Sequence, residues 1–154
     1  MIGNELKESK DISLAEVLEI LEKRKKRGPL GYEQQTSHDY CENFVKLSIT
    51  DTKGLISQLL EIEEINEKTA IKIVDIMPMK EAQLKIILAK DRIELSSEKL
   101  QKVFEIIMNY KPKMEEYIKK KKKAQEVAEK KEKTETKEEK KKEKKVKEKK
   151  SDKK

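Results

Sequence analysis

From residue 13 to residue 110 the apolar positions recur at helical rather than strand spacing, in six runs that each carry their own start and stop signals. The first run is the best defined. Ser13-Leu14-Ala15-Glu16 spells a capping box, in which the Ser hydroxyl takes the backbone N–H of Glu16 and the Glu carboxylate takes that of Ser13. Leu14, Val17, Leu18 and Leu21 follow at i, i+3, i+4 and i+7 as one apolar stripe, while Glu19/Lys23 and Glu22/Lys26 stand four apart on the polar side. Gly28-Pro29-Leu30-Gly31 ends the run. A second helix is predicted over 32–47, with Cys41, Phe44 and Leu47 or Ser48 on one side. A third, from Thr50 or Asp51, is expected to bury Leu55, Ile56, Leu59 and Leu60. Asn66 caps a fourth, striped by Ala70, Ile73, Val74 and Met77 and stopped by Pro78, which has no amide to donate and clashes with the preceding turn. The fifth covers about 81–89 with Leu84, Ile87 and Leu88, and Ser96 or Ser97 caps a sixth carrying Leu100, Val103, Phe104 and Ile107. Short connections between them favour an all-helical bundle.

Beyond Tyr110 the pattern lapses. Pro112 is predicted to break the helical run, and past Ile118 the apolar side chains are Ala124, Val127, Ala128 and Val146. Such a segment buries too little to offset the entropy of ordering, so residues 112–154 are expected to be a Lys/Glu-rich tail, mostly disordered. Glu115/Lys119, Glu126/Lys130 and Glu129/Lys133 would support transient helix in it. Composition agrees, because a chain that is 45 % charged and 34 % hydrophobic cannot pack throughout its 154 residues. A body of about 110 residues can still bury roughly two-thirds of its unfolded surface. The first helix stands apart within that body. A polar segment precedes it and Lys23-Arg24-Lys25-Lys26-Arg27 follows its stripe, so the stripe either joins the common core or docks on a partner.

Charge redraws the picture more than composition does. The net +7 divides into +10 for residues 111–154, with 21 Lys against 11 acidic residues, and −3 for residues 1–110. A basic chain suggests nucleic-acid binding, but here that argument applies to the tail alone. Its densest block, Lys119, Lys120, Lys121, Lys122 and Lys123, is the candidate nucleic-acid contact, since lysines on phosphates release condensed counterions. Glutamates from Glu126 onward neutralise about half of the local charge, which leaves a solubilising or ion-pairing tail as the alternative. The cations of residues 23–27 also complement the dipole at a helix C-terminus.

A catalytic function finds no groups to carry it. Gly28 and Gly31 stand without a following Gly-Lys-Ser/Thr, so there is no phosphate-cradling loop. His38 and Cys41 are single residues of their types, too few for a metal set or a supported Cys nucleophile, and no Asp-x-Asp pair exists to hold two Mg²⁺ ions. Glu61-Glu63-Glu64 has the character of a solvated face. No catalytic residue, cofactor, metal or small-molecule substrate is therefore expected. With 4 % aromatics and no Trp, a base-stacking sheet is excluded. One Cys precludes an intrachain disulfide, and neither a leader pattern nor an apolar run near ~18 residues is present, so a cytoplasmic chain without a membrane span is expected.

Several stretches together resemble a known family. They are Met1-Ile2-Gly3, the capped helix from Ser13-Leu14-Ala15-Glu16-Val17 through Leu21-Glu22-Lys23-Arg24, Gly31-Tyr32-Glu33-Gln34-Gln35 with Asp39-Tyr40, and Ala70-Ile71-Lys72-Ile73-Val74-Asp75-Ile76-Met77-Pro78. Ala89-Lys90-Asp91-Arg92, Leu95-Ser96 and Ile106-Ile107-Met108-Asn109-Tyr110 complete the order. Over residues 1 to about 110 the chain is similar to the smaller of the two stalk subunits of archaeal DNA-directed RNA polymerase, the counterpart of the fourth subunit of the eukaryotic enzyme. The resemblance implies a non-catalytic subunit, the active-centre Mg²⁺ belonging to the large subunits. It implies an extended segment, 1–12, that pairs with a sheet of the larger stalk subunit, and helices over 13–48 that wrap against it. Residues 49–111 would form a bundle similar to the helicase and RNase D C-terminal (HRDC-like) domain. Ile2, Leu6, Ile12, Leu14, Val17, Leu18, Leu21, Leu30 and Tyr32 would face the larger stalk subunit. The heterodimer would join the polymerase core near the RNA exit, help recruit transcription initiation factors and lie close to nascent RNA. Glu8-Ser9-Lys10-Asp11 lacks the aromatic residue expected ahead of the capping box, and the tail has no counterpart in the family core. The rival function is a free-standing nucleic-acid-binding module of helicase-C-terminal type, using residues 23–27 and the tail.

Overall fold

In the computed structural model, which describes the backbone of residues 9–151 and the side chains of residues 9–124, polar caps start the helices where the periodicity places them. Helix α1 (Leu14–Lys25) carries both halves of the capping box: Ser13 Oγ accepts the Glu16 amide at 3.4 Å, and Glu16 Oε2 accepts the Ser13 amide at 3.1 Å. Helix α2 (Tyr32–Phe44) begins after Gly31, whose amide donates to Gln34 Oε1. Ser48 caps α3 (Ile49–Leu60) by accepting the Asp51 amide, and Asn66 caps α4 (Glu67–Ile76) by accepting that of Thr69 at 2.9 Å. α5 (Glu81–Lys90) follows, and Ser96 accepts the Lys99 amide at the start of α6 (Ser97–Ser151). Each such cap contributes about 1 kcal/mol. Among the described residues there is no strand, and the chain divides into two units, Met1–Tyr117 and Ile118–Lys154.

Three boundaries differ from the periodicity. α2 ends at Phe44 rather than running to residue 47, because Val45 turns extended and carries Val45 and Leu47 separately into the interior. α3 starts one or two residues early, since Ser48 rather than Thr50 or Asp51 is the cap. α6 passes through Pro112, where the sequence predicts a break. Proline removes the bond to the Met108 carbonyl, yet Tyr110 is buried before it, Met114 packs on the core after it, and Lys113 Nζ reaches Asp51 at 2.9 Å across the bundle. Those contacts outweigh one missing hydrogen bond. The first unit accordingly extends to Tyr117 rather than stopping near 112. Further on the backbone of α6 stays helical to Ser151, where Glu/Lys spacing of four supports a helix in a sequence with few apolar residues.

The main core of the first unit is built from α3 to α6: Leu55 and Leu59, Ala70, Ile73 and Val74, Leu84 and Leu88, and Leu100, Val103 and Ile107 interdigitate. A second, smaller cluster joins Ala15 and Leu18 of α1 to Cys41 and Val45, with Leu14, Val17 and Tyr117 at its edge. Gly54 lies in mid-α3 because a Cβ there would stand 3.0 Å from the Tyr110 hydroxyl. α4 stops at Met77, whose left-handed backbone (φ 49°) precedes Pro78 and is held by burial of the Met77 side chain.

Polar ties join the two clusters and lock the bundle. The Asp75 carboxylate of α4 accepts the Leu14 amide at 3.1 Å, so an acid from a distant helix occupies the N-terminus of α1. One residue on, the Ile76 carbonyl accepts from Lys46 Nζ. Asp91 accepts from Thr69 Oγ1 at 2.7 Å and pairs with Lys72, tying the end of α5 to α4. Burial pushes the Asp75 carboxyl up from 3.8 to about 6; the Leu14 amide pulls the other way, and the Glu16 carboxylate adds a smaller push.

Between these two values the folded chain holds a proton that the unfolded chain has released. The Asp75 contribution is thus fully present below pH 3.8 and is lost as pH rises through about 6. Asp75→Asn keeps the acceptor for Leu14 but cannot ionise. We expect it to match the wild type near pH 4 and to exceed it by about 1–2 kcal/mol at pH 7, after allowance for partial exposure to water. Urea melts at both pH values check this, and a stability difference that does not change with pH would refute it. Gly54→Ala is expected to destabilise by about 1 kcal/mol through contact with Tyr110. In a Tyr110→Phe background the same change should instead stabilise by about 1 kcal/mol through helix propensity, which denaturant midpoints of the four chains would resolve.

Candidate partner interface

α1 and α2 pack chiefly on each other, and α1 also touches α3. Their common cluster is small, so most of the surface of two amphipathic helices remains outside it. Of the eight large hydrophobic side chains exposed among the described residues, five lie between residues 12 and 44: Ile12, Ile20, Tyr32, Tyr40 and Phe44. A concentration of this kind makes the two helices the candidate interface of the chain.

The structure distributes the candidate interface residues unevenly. Leu18 is 8 % exposed and faces its own chain, against Cys41 and Val45. Leu14, Val17, Leu21 and Leu30 are half-buried, Ile12 is exposed and Tyr32 is 88 % exposed at the first turn of α2. Ile2 and Leu6 lie outside the described residues. The stripe of α1 therefore serves two purposes, with Leu18 and Ala15 turned inward and the flank from Val17 to Leu21 only partly covered.

Three apolar residues of this surface are not singled out as contacts by the sequence. Ile20, 53 % exposed, follows Val17 by three and precedes Leu21, so it widens the stripe away from Leu18. Tyr40 and Phe44 are 53 % and 52 % exposed and stack one turn apart, ring centroids 4.5 Å from each other. The periodicity puts Phe44 on the inner side with Cys41. The early end of α2 corrects this, because Val45 rather than Phe44 fills the inner position. The i, i+4 aromatic pair is the signal in the sequence that could have found it.

Charge frames the apolar surface. Lys23, Arg24 and Lys25 occupy the last turn of α1, where they complement the helix dipole, and Lys23 pairs with Glu19 at 2.9 Å. Their hydrogen bond holds the Glu19 carboxyl below its usual range. His38 is buried under α2 with Nδ1 3.4 Å from Asp39 Oδ1 and 3.8 Å from Glu42. These three are the one His/Asp/Glu grouping of metal-like spacing among the described residues. Asp39 Oδ1 is already engaged by Gln35 Nε2 at 2.6 Å, and the group comes from little more than one turn of one helix, so it has the character of a polar cluster. A cleft of about 790 Å³ lies between α5 and the start of α6, floored by Leu88, Ile93, Leu95 and Leu100. Neither Cys nor His lines it, and its polar lining comes from Glu81, Lys85, Arg92, Glu94, Ser97 and Gln101. In the second unit Lys119, Lys120, Lys122 and Lys123 are exposed and Lys121 is half-buried. No helix among the described residues is long and apolar enough to cross a membrane.

A helical chain that exposes apolar side chains on and beside its first two helices has the character of a subunit of a larger assembly. Comparison with known proteins identifies the assembly. No family model matches the chain. The DNA-directed RNA polymerase subunit Rpo4 of Methanocaldococcus jannaschii is 34 % identical over 110 residues, covering 92 % of that protein and 71 % of this chain. The chain belongs to this Rpo4 family of archaeal RNA polymerase subunits, and is a non-catalytic part of a nucleotidyltransferase complex.

The division of the α1 stripe can be measured on the isolated chain. Leu18→Ala should cost about 2–3 kcal/mol, whereas Ile20→Ala should change stability by less than about 0.5 kcal/mol. Equal losses in denaturant melts would place Ile20 inside the fold.

Proposed function

We propose that this chain is the smaller stalk subunit of an archaeal RNA polymerase, forming a one-to-one heterodimer with the larger stalk subunit in the cytoplasm. The observation that carries the proposal is the gathering of exposed apolar side chains on α1 and α2, from Ile12 to Phe44, in a chain of the Rpo4 family. In this function residues 1–12, with Ile2 and Leu6, add to a sheet of the larger stalk subunit. Ile12, Leu14, Val17, Leu21, Leu30 and Tyr32 supply the apolar contacts of the wrapping helices, extended by Ile20, Tyr40 and Phe44. Leu18 acts from inside, holding α1 on α2 so that the outer flank keeps its shape. The helices from α3 to the first part of α6 form the helicase-C-terminal-like bundle that stiffens this platform. The heterodimer sits on the polymerase core near the RNA exit, where it supports recruitment of initiation factors and contact with nascent RNA.

Apolar burial predicts an assembly that is insensitive to salt. Co-expressed with the larger stalk subunit of the same source, the chain should elute as a one-to-one complex even at about 1 M salt, where the Debye length is only ~3 Å. Ile20→Asp and Leu21→Asp should each abolish the complex while leaving the melting of the isolated chain nearly unchanged. Normal assembly of both variants would remove the α1 flank from the interface. A monomer that ignores the larger stalk subunit and binds RNA with affinity collapsing in salt would favour a free-standing nucleic-acid-binding module instead.

A further inference from the structure

Of the eight large apolar side chains exposed among the described residues, three lie outside the α1–α2 surface, and one of them, Ile86 on α5, is the most exposed aliphatic of all at 67 %. α5 is apolar on two sides. Leu84, Ile87 and Leu88 are buried in the main core, while Ala82, Ile86 and Ala89, at i, i+4 and i+7, are exposed. At about 100° per residue the two sets point in opposite directions, and Lys85 and Lys90 fall on the two flanks of the exposed set. A helix that is apolar all round belongs in an interior, and here one side has no cover from the chain. On its Lys85 flank this strip opens into the cleft of about 790 Å³ floored by Leu88, Ile93, Leu95 and Leu100, with Ala89 common to both. We propose that the outer face of α5 and the cleft beside it form a docking site for an acidic amphipathic helix of a partner protein.

Charge selects the occupant. Lys85, Lys90 and Arg92 are exposed, and among the described residues their side chains form no ion pair or hydrogen bond. Asp91 beside them is spent on Thr69 and Lys72. Arg92 is the sharpest sign. α5 closes with the Ile93 amide donating to the Leu88 carbonyl at 3.0 Å and the Arg92 amide to that of Ala89 at 3.1 Å, a closure whose left-handed position, here Arg92 at φ 58°, favours glycine. The fold would be served as well by Gly, yet the position carries a guanidinium that lines the cleft and bonds to nothing in the chain. Strain kept at the lining of a cleft fits a ligand clamp. Other occupants fit less well. A second copy laid face to face would set Lys85 and Lys90 against themselves. A phosphate backbone has no use for Ile86 or the apolar floor, and Glu81 and Glu94 in the cleft lining repel a continuous polyanion while leaving room for a helix whose acids are spaced. One large side chain between two alanines is too small an apolar face for a membrane surface. An apolar ridge flanked by carboxylates satisfies Ile86, the floor and the cations together, as helices laid in grooves do. The residues assigned above to the larger stalk subunit all lie at or before Phe44, so this site does not rest on that function.

The test uses the full chain and a labelled helical peptide with leucines along one face and glutamates on both flanks, read by fluorescence anisotropy. One comparator carries serines in place of the leucines and measures whatever charge alone contributes, the lysine-rich tail included. A second carries lysines in place of the glutamates. The first peptide should bind at least about tenfold more tightly than either comparator. Ile86→Asp should erase that preference. Lys85→Glu combined with Arg92→Glu should weaken the first peptide by about tenfold and let the lysine peptide bind better than it does to the wild type. Arg92→Gly should raise the melting temperature of the chain by about 2–5 °C while lowering its affinity for the first peptide by about threefold. Equal affinity for the serine peptide, an Ile86→Asp chain that binds as the wild type does, or a lower melting temperature in Arg92→Gly overturns the site. So does an unstructured RNA or an anionic vesicle whose binding falls in these variants while that of the first peptide does not.

Discussion

The Asp75 carboxylate at the first amide of α1 is the constraint on which the arrangement of the first unit depends. The N-terminus of a helix presents unsatisfied N–H groups and a partial positive charge, and here the acid that meets them comes from α4, 61 residues further along. Together with the Lys46 contact to Ile76, it pins α1 and the end of α2 to the same end of α4. The small α1–α2 cluster has only four buried members, too few to fix the orientation of two helices by apolar packing alone. A directional hydrogen bond to a half-buried carboxylate supplies the orientation that packing does not. Its cost is visible in the raised pKa of Asp75, which reflects a charge held away from water at a neutral-pH disadvantage.

Fixing α1 in this way decides which side of its stripe is spent internally. With Leu14 held over Asp75, Ala15 and Leu18 turn toward Cys41 and Val45, and Ile20 turns away from them. The inward side is enough to keep the hairpin formed. The outward side, joined by Tyr32, Tyr40 and Phe44, is more apolar surface than a polar chain of this size needs to leave uncovered. On the stalk function proposed above, an interface and a fold share one stripe, and substitutions at Leu18 and Ile20, close neighbours along it, probe different things.

The caps were legible because their information is local. Ser13, Asn66 and Ser96 each accept an amide three residues on, and each starts a helix as predicted. The core positions followed from the same periodicity. What sequence could not show was set at a distance. Asp75 looks like one polar member of an apolar run, since nothing near it in the chain announces Leu14. Val45 and Leu47 continue an apolar rhythm that suits a helix, but the chain buries them from an extended segment, which rotates Phe44 outward. Pro112 is a local stop signal overruled by Tyr110, Met114 and the Lys113–Asp51 pair, all tertiary. In the candidate interface the exposure of Phe44 was hidden for a related reason, since it depends on where its own helix ends.

α6 shows the two ways a helix can be supported within one element. Up to Tyr117 it is held by burial of Leu100, Val103 and Ile107, which makes its first part a structural wall of the bundle and little affected by ions. From Ile118 the spacing of charges must do what burial did, and such support is weak per pair, a few tenths of a kcal/mol, and screened by salt. Residues 119–123 keep helical backbone with Glu115, Glu116 and Glu126 at helical spacing from Lys119, Lys120, Lys122 and Lys123. The one helix is therefore supported by two kinds of contact that respond oppositely to ions, apolar burial up to Tyr117 and charge spacing after it.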